Sequence, residues 1–447
     1  MSGPQSIFLR FELPNATTWF YLSLLLAVAL FFKFNRLLSL RNWDLLTLFL
    51  LVPGLLLLHE EYTRAGGEGV KPDSGRLWFG YLWLLAGSVY FFGRCLFDLA
   101  LVRRPALDPN LNPAGLAWLT GALFVCLGGV AVRKPPEPEP QVGKGSAVLE
   151  ETQRRTAEFA TRIAGEPLDG RGTRFWVERG FAGLCHLAVV VALVAIGWRH
   201  FQDASAGMAA ATLYLLLPYI AFHVAQVHHV WPTALLLWAV VFYRRPTTAG
   251  MLVGLAAGSL FFPALTLPAW LSFYWRRGAR RFAGAFAIAA VLSLALTGLL
   301  LWLDGQLAAS LRQTLAQSDW QPWKVPQAEG FWTGVHWAYR IPVFIGYAFF
   351  VLLTAFWPTP KNLAHLLALL AAVLIGIQFW YADHGGIYVL WYLPLLLLLI
   401  YRPNLSDRRP PPLEDEDDFV LRGYRAVRHW WARAVQPLLR PAQPMAR

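Results

Sequence analysis

Apolar residues in this chain come in long runs, not in alternation. Eleven runs lie at 17–32, 44–58, 77–102, 114–132, 180–198, 207–224, 230–243, 281–303, 340–357, 363–382 and 387–401, parted by polar or basic segments. A helix rises 1.5 Å per residue, so about 20 apolar residues cross the hydrocarbon core of a bilayer. Backbone amides in lipid must be satisfied within the structure that crosses, which a helix does unaided. The pattern therefore predicts an all-α polytopic membrane protein with about 11 transmembrane helices. The stretch 248–275 differs, because Pro263 and Pro268 interrupt it. It is too short for two full crossings and too broken for one. We expect a Pro-broken or re-entrant element there, as such breaks are tolerated where backbone lines a cavity or is buried in protein. The first run lacks a basic flank and a small-residue cleavage site, and reads as a retained span.

Charge then orients the spans. Arg103 and Arg104, Arg199, Arg244 and Arg245, the cluster from Arg276 to Arg281, and Lys361 sit between runs. Basic loops favour the cytoplasmic side. All these clusters can share that side only if 248–275 dips in and returns. The expected protein thus lies in the cell inner membrane, with its N-terminus outside and its C-terminus cytoplasmic. Residues 1–132 form N-terminal spans. Residues 133–179 form an extracytoplasmic insert, opening on the polyproline-like segment Lys134–Pro140. Residues 180–401 form the core with the outer loop 304–339, and 402–447 a cytoplasmic tail. In that tail Val420, Tyr424, Val427, Trp431, Val435 and Leu438 recur at helical spacing, the pattern of a helix lying on a membrane surface.

Composition agrees. Of 447 residues, 56% are hydrophobic and 15% charged, where a soluble domain carries about 25% charged residues. The net charge of +12 sits in short loops and the tail. It suits anionic headgroups, and we expect no nucleic-acid partner. Cys95, Cys126 and Cys185 all lie in apolar runs. They read as small buried hydrophobes, neither disulfides nor metal ligands.

Polar residues at membrane depth are costly, so they mark candidate chemistry. The first group is the segment 218–232, with His223, Gln226, His228 and His229 at the join of two spans. Its readings are interfacial histidines, a substrate site or, least favoured, a metal site. The second is the loop 304–340, where Asp319, Trp320, Trp323, Lys324, Glu329, Trp332, His336, Trp337 and Arg340 interleave rings with charges. Rings stack on sugar faces and carboxylates bind hydroxyls, while Arg340 at the mouth of a span could grip a phosphate. An interfacial tryptophan belt is the plainer reading. The third is Glu60 and Glu61, adjacent carboxylates after a span. They are either a solvated helix end or a general base.

The stretch 218–286 resembles the polyprenol-phosphate-mannose-dependent mannosyltransferases, a multispan branch of the C-type glycosyltransferases. The resemblance is carried by Pro218, Ala225-Gln226-Val227-His228, Arg244-Arg245, the run from Gly250 to Ala256, Pro263 and the cluster Arg276–Arg281. His384-Gly385-Gly386-Ile387-Tyr388 and Trp391-Tyr392-Leu393-Pro394 are similar to the family's last span. Leu260 stands where the family often carries a lysine, Ala225 at its glycine and His228 at its asparagine. The usual acid in a first outer loop has no clear counterpart. The resemblance implies a C-type glycosyltransferase-like fold and transfer of a mannose-like hexose from a polyprenyl-phosphate sugar to a glycan or lipid acceptor. It needs no metal or other cofactor. Glu329, Glu60 and Glu61 are then the candidate bases. Gln226, His228, His229, His336, Arg340 and His384 are candidate substrate contacts. A transporter for a lipid-linked or small polar substrate, or a non-catalytic membrane scaffold, fits the same pattern of runs.

Overall fold

The structure is a computed structural model that describes residues 16–68, 71–101, 107–133, 147–165, 172–303, 305, 307–316, 321–326, 329–412 and 429. The polyproline-like segment and the helical pattern at 420–438 lie outside the described residues, apart from residue 429. Among the described residues the fold is helical, without strands. The helices are α1 (Ala16–Phe31), α2 (Leu40–Thr47), α3 (Val52–Glu68), α4 (Ser74–Asp98), α5 (Pro113–Arg133), α6 (Ala147–Ala164), α7 (Thr173–Ile196), α8 (Ala204–Leu216) and α9 (Pro218–His223). They continue as α10 (Val227–Val241), α11 (Pro246–Ser259), α12 (Leu267–Phe273), α13 (Ala279–Leu303), α14 (Leu307–Ala316), α15 (Arg340–Phe356), α16 (Leu363–Trp380) and α17 (Leu393–Tyr401).

Among the described residues seven helices are long and apolar enough to cross a membrane: Leu40–Ala65, Ser74–Asp98, Pro113–Arg133, Thr173–Phe201, Ala279–Leu303, Trp337–Phe356 and Leu363–Trp380. The protein is therefore multi-pass. Other expected spans form shorter helices, including Thr17–Phe31, Ala204–Leu216 and Val227–Val241. The expected run 207–224 is divided because Pro218 starts a new helix and holds Leu217 extended. Burial is lopsided in a way that soluble proteins avoid. α16 stands at the centre with 89% of its apolar window buried, whereas α13, with mean hydropathy 2.4, buries 6% of its own. Ile288, Val291, Leu292 and Leu294 are among its exposed side chains. A helix so apolar over its exposed face is stable against lipid and not against water.

Helix contacts sort the loops into two ends. α3 and α4 are antiparallel, since Gly54 faces Gly80 and Leu84 while Gly87 faces Leu51. α15 and α16 are antiparallel too: Arg340 reaches the Trp380 carbonyl (3.2 Å) and Tyr347 the Val373 carbonyl (3.1 Å). The end at which α4 finishes is basic. There Arg402 closes on Asp98 (2.7 Å), and Arg277 reaches the Pro410 carbonyl (2.6 Å). His200 meets the Val241 carbonyl (2.9 Å). Lys361 donates to Ser272 Oγ (2.7 Å), and burial pushes its amine down to about 8.

The stretch 248–275 enters and leaves at this basic end. The Tyr274 hydroxyl donates to the Tyr243 carbonyl (2.5 Å), so the arginine pairs at 244–245 and 276–277 lie side by side. Between them α11 stops at Leu260, the chain turns through Phe262–Thr266, and α12 returns. Pro263 and Pro268 each sit in the first turn of a new segment, where a missing N–H is harmless. The turn is packed: Phe262 lies 4.8 Å from the Tyr381 ring and 5.1 Å from that of Trp391.

Glycine makes this hairpin fit. Gly250, Gly254 and Gly258, spaced four apart on α11, face Phe282, Phe286 and Ser293 of α13. Both series ascend together, so α11 and α13 run parallel. A Cβ at Gly254 would strike the Phe286 carbonyl backbone, whereas one at Gly284 would meet nothing. Gly254→Val is expected to destabilise the protein by about 1–3 kcal/mol or more through overpacking. Gly284→Ala should be neutral or slightly stabilising. Thermal unfolding of the two variants in detergent makes the comparison.

Candidate functional site

At the end opposite the basic loops, polar side chains from distant parts of the chain meet. Tyr62, near the end of α3, donates to Glu329 Oε2 (2.7 Å) and lies 3.0 Å from the Tyr81 hydroxyl of α4. The backbone N–H of His384 donates to the Glu329 carbonyl (2.8 Å), which ties the 329–333 segment to the turn after α16. In that turn His384 Nδ1 donates to Asp383 Oδ1 (2.6 Å). A carboxylate can only accept, so the bond sets the tautomer and leaves Nε2 as the basic nitrogen of neutral His384. Asp383 is buried, and the His384 side chain keeps 22% exposure. The Tyr62 and Tyr81 rings flank the imidazole at 6.5 and 6.2 Å.

The turn is held under constraint. His384 has φ 49° and Gly386 φ 105°. The first is costly for a side chain other than glycine, and such strain concentrates at functional sites. Gly386 donates to Gln378 Oε1 (2.9 Å), and a Cβ there would press on Leu84.

A second polar group adjoins the first through Tyr388. Its hydroxyl donates to the Asp383 carbonyl (3.1 Å), and its ring stacks on His229 at 5.4 Å. His229 stacks in turn on His223 at 4.0 Å and lies 4.6 Å from His228. His223 Nδ1 and Gln226 Oε1 meet at 2.6 Å, and the Trp391 indole donates to the His228 carbonyl (3.2 Å). The break between α9 and α10 turns these side chains inward together.

The sequence-predicted residues thus divide. Glu329, His384, Gln226, His228 and His229 belong to one connected network. Glu60 is exposed on α3 and stands outside this network among the described residues. Glu61 is fully buried, with Arg64 (2.7 Å) and Arg76 (2.9 Å) each on one of its oxygens. It pins the α3–α4 turn, because a buried carboxylate needs that pairing. His336 is exposed and accepts from the Ala338 N–H (3.3 Å), a local cap. Arg340 does not stand open at the mouth of a span. It is fully buried, with Nε on the Trp380 carbonyl at the C-terminus of α16, where a cation is favoured.

Sequence reasoning missed Tyr62, Tyr81, Asp383 and Tyr388 as site residues. The acid–histidine pair at 383–384, inside an apolar context and before two glycines, was the available signal. Among the described residues no three His, Cys, Asp or Glu side chains are grouped to hold a metal ion. Cys95 and Cys185 are buried as expected, but Cys126 is exposed on α5, whose outward face is apolar. No family model, no curated protein and no solved structure matches this chain.

Proposed function

We propose that this protein is a membrane-embedded transferase that moves a hexose from a polyprenyl-phosphate carrier to a glycan or lipid hydroxyl. The carrying observation is the acid–base cluster of Glu329, Asp383 and His384, with Tyr62 and Tyr81, at the end of an apolar bundle opposite the basic loops. In the proposed topology eleven crossings and the α11–α12 hairpin leave the N-terminus outside. The basic end is cytoplasmic and the cluster faces outward. The acceptor hydroxyl gives its proton to His384 Nε2 and attacks the anomeric carbon. The sugar–phosphate bond breaks and the electron pair leaves with the lipid phosphate. Glu329, oriented by Tyr62, accepts hydrogen bonds from sugar hydroxyls, and Gln226 and His228 extend that surface. Side chains of this kind held in place contribute through positioning and electrostatics.

The test is incubation of the purified protein in nanodiscs with polyprenyl-phosphate mannose, following donor loss. Glu329→Gln is expected to lower donor turnover at least tenfold, with a raised KM, while the melting temperature stays within a degree or two. Full turnover by Glu329→Gln would remove that residue from the site. No donor loss by the wild type would remove the transferase reading itself. A transporter is the second reading, favoured by the broken α11–α12 pair, since broken helices form transport sites. The rings of Phe262, Tyr381 and Trp391 fill that break, which weighs for the transferase.

A further inference from the structure

Beside the acid–base cluster lies a pair of rings that the proposed chemistry does not use. Trp78 stands near the start of α4, three residues before Tyr81, so the two side chains share one face of the helix. Its indole is 45% exposed and stacks on the Phe331 ring, with centroids 5.9 Å apart and planes at 25°. Phe331 follows Glu329 by two residues. The pair is firmly seated. Phe331 meets the Trp332 ring edge-on at 5.3 Å, and Trp332 is buried with its indole N–H on the Phe379 carbonyl (3.0 Å). Gly330 lies so close to the Ala382 carbonyl that a Cβ would strike it. Its N–H donates to Thr333 Oγ1 (2.9 Å), which closes the turn. The segment 329–333 is thus fixed against the turn that carries Asp383 and His384. Phe331 is the one ring that Trp78 stacks on among the described residues, so the indole keeps an open face. A tryptophan of an interfacial belt needs only a lipid surface. Trp78 instead lies over the segment that presents Glu329, on the helix face that presents Tyr81. Glu329 is itself exposed, and with Oε2 taken by Tyr62 its Oε1 accepts no bond among the described residues.

We propose that Trp78, backed by Phe331, is the platform on which a neutral pyranose of the acceptor glycan stacks, with hydroxyls turned to Glu329. The chemistry on the two sides matches a sugar ring. A pyranose has a face of C–H groups, which an indole covers, and an edge of hydroxyl donors, which a carboxylate accepts. An alkyl chain would bury the indole but offer Glu329 no donor. Tyr81 joins the platform to the reacting groups: it lies one helical turn from Trp78, and its ring is 6.2 Å from the His384 imidazole. A sugar seated on the indole is therefore next to the histidine that takes the hydroxyl proton. The backing by Phe331 holds the indole in one orientation, so binding orders little of the protein. That the bound sugar is the acceptor rests on the transferase reading; that the platform binds a pyranose does not.

Saturation-transfer NMR of the full-length protein in nanodiscs tests it, with methyl α-mannopyranoside, methyl β-glucopyranoside and choline as probes and no donor in the sample. We expect transfer to the ring C–H protons of at least one glycoside and none to choline. Trp78→Ala should weaken that binding roughly fivefold, the worth of one well-packed ring. Trp78→Phe should keep most of it, with the melting temperature of both variants close to that of the wild type. Phe331→Leu, which removes the backing and leaves the exposed ring, should weaken binding less, and it carries the test if Trp78→Ala folds poorly. No transfer to either glycoside overturns the proposal, as does unchanged glycoside binding in both Trp78→Ala and Phe331→Leu. Choline bound by the wild type and lost in Trp78→Ala also overturns it, and assigns the rings to a cationic headgroup. A wild type that binds a glycoside but consumes no polyprenyl-phosphate mannose keeps the platform and loses the transferase reading. One that consumes the donor but binds no glycoside does the reverse.

Discussion

Asp383→Asn is expected to lower transfer by roughly 10²- to 10⁴-fold, the range that positioned acid–base groups supply. The argument is geometric. Asp383 accepts from His384 Nδ1 at 2.6 Å, which holds the imidazole in the tautomer whose Nε2 is basic. An asparagine that presents its NH₂ group instead donates to Nδ1, and the proton moves to Nε2. The ring then cannot take a proton from an acceptor hydroxyl. The shape of the turn is kept, because the Asp383 backbone carbonyl still receives the Tyr388 hydroxyl. Donor affinity should therefore survive while kcat falls. His384→Ala should lose as much, and the double variant little more, because the two residues act as a unit. Steady-state kinetics with polyprenyl-phosphate mannose, split into kcat and KM, make the measurement. Undiminished kcat in Asp383→Asn would shift the base to Glu329.

The second large effect is on stability. Arg402→Met is expected to destabilise the protein by about 3–5 kcal/mol, the cost of stripping one partner from a buried ion pair. Arg402 is fully buried and binds Asp98 Oδ2 (2.7 Å) and the Leu101 carbonyl (2.7 Å). Asp98 is shared with Arg94 (3.4 Å), which also binds Asp44 (2.9 Å). Among the described residues Asp44, Asp98, Arg94 and Arg402 thus meet where α2, α4 and the end of α17 come together. Removing Arg402 strips the buried Asp98 carboxylate of its 2.7 Å partner. Adding Asp98→Leu to Arg402→Met removes the stripped carboxylate as well and should recover most of the loss. Denaturant titration of the single and double variants in detergent reads the difference. A single variant as stable as the wild type would show that the pair does not hold the bundle.

Much of the fold was legible because membrane solubility is a local property. Each apolar run must become a helix on its own account, so runs such as 281–303 and 363–382 could be read without knowing their neighbours. The break within 248–275 was legible for a related reason: two prolines interrupt it and a basic cluster flanks each side. Less was legible of the site. Glu60 and Glu61 look alike in sequence, yet one is exposed and the other is clamped by Arg64 and Arg76. Arg340 looked available for a phosphate, but the end of α16 claims it. No spacing rule links Tyr62 to Glu329, 267 positions apart, or Asp98 to Arg402, 304 apart.

The sequence by itself determined that the chain is helical and apolar enough to cross a membrane repeatedly. It also marked where the chain breaks and which loops carry positive charge. These follow from partition of short segments between water and hydrocarbon, which each segment decides alone. Only the tertiary structure decided which polar groups meet. It packed α11 beside α13 through glycines, brought Asp383, His384, Glu329, Tyr62 and Tyr81 to one end, and spent Glu61 and Arg340 on holding the frame. A polar side chain inside an apolar bundle takes whichever partner the packing delivers, and that partner is set by helix order and tilt across hundreds of residues.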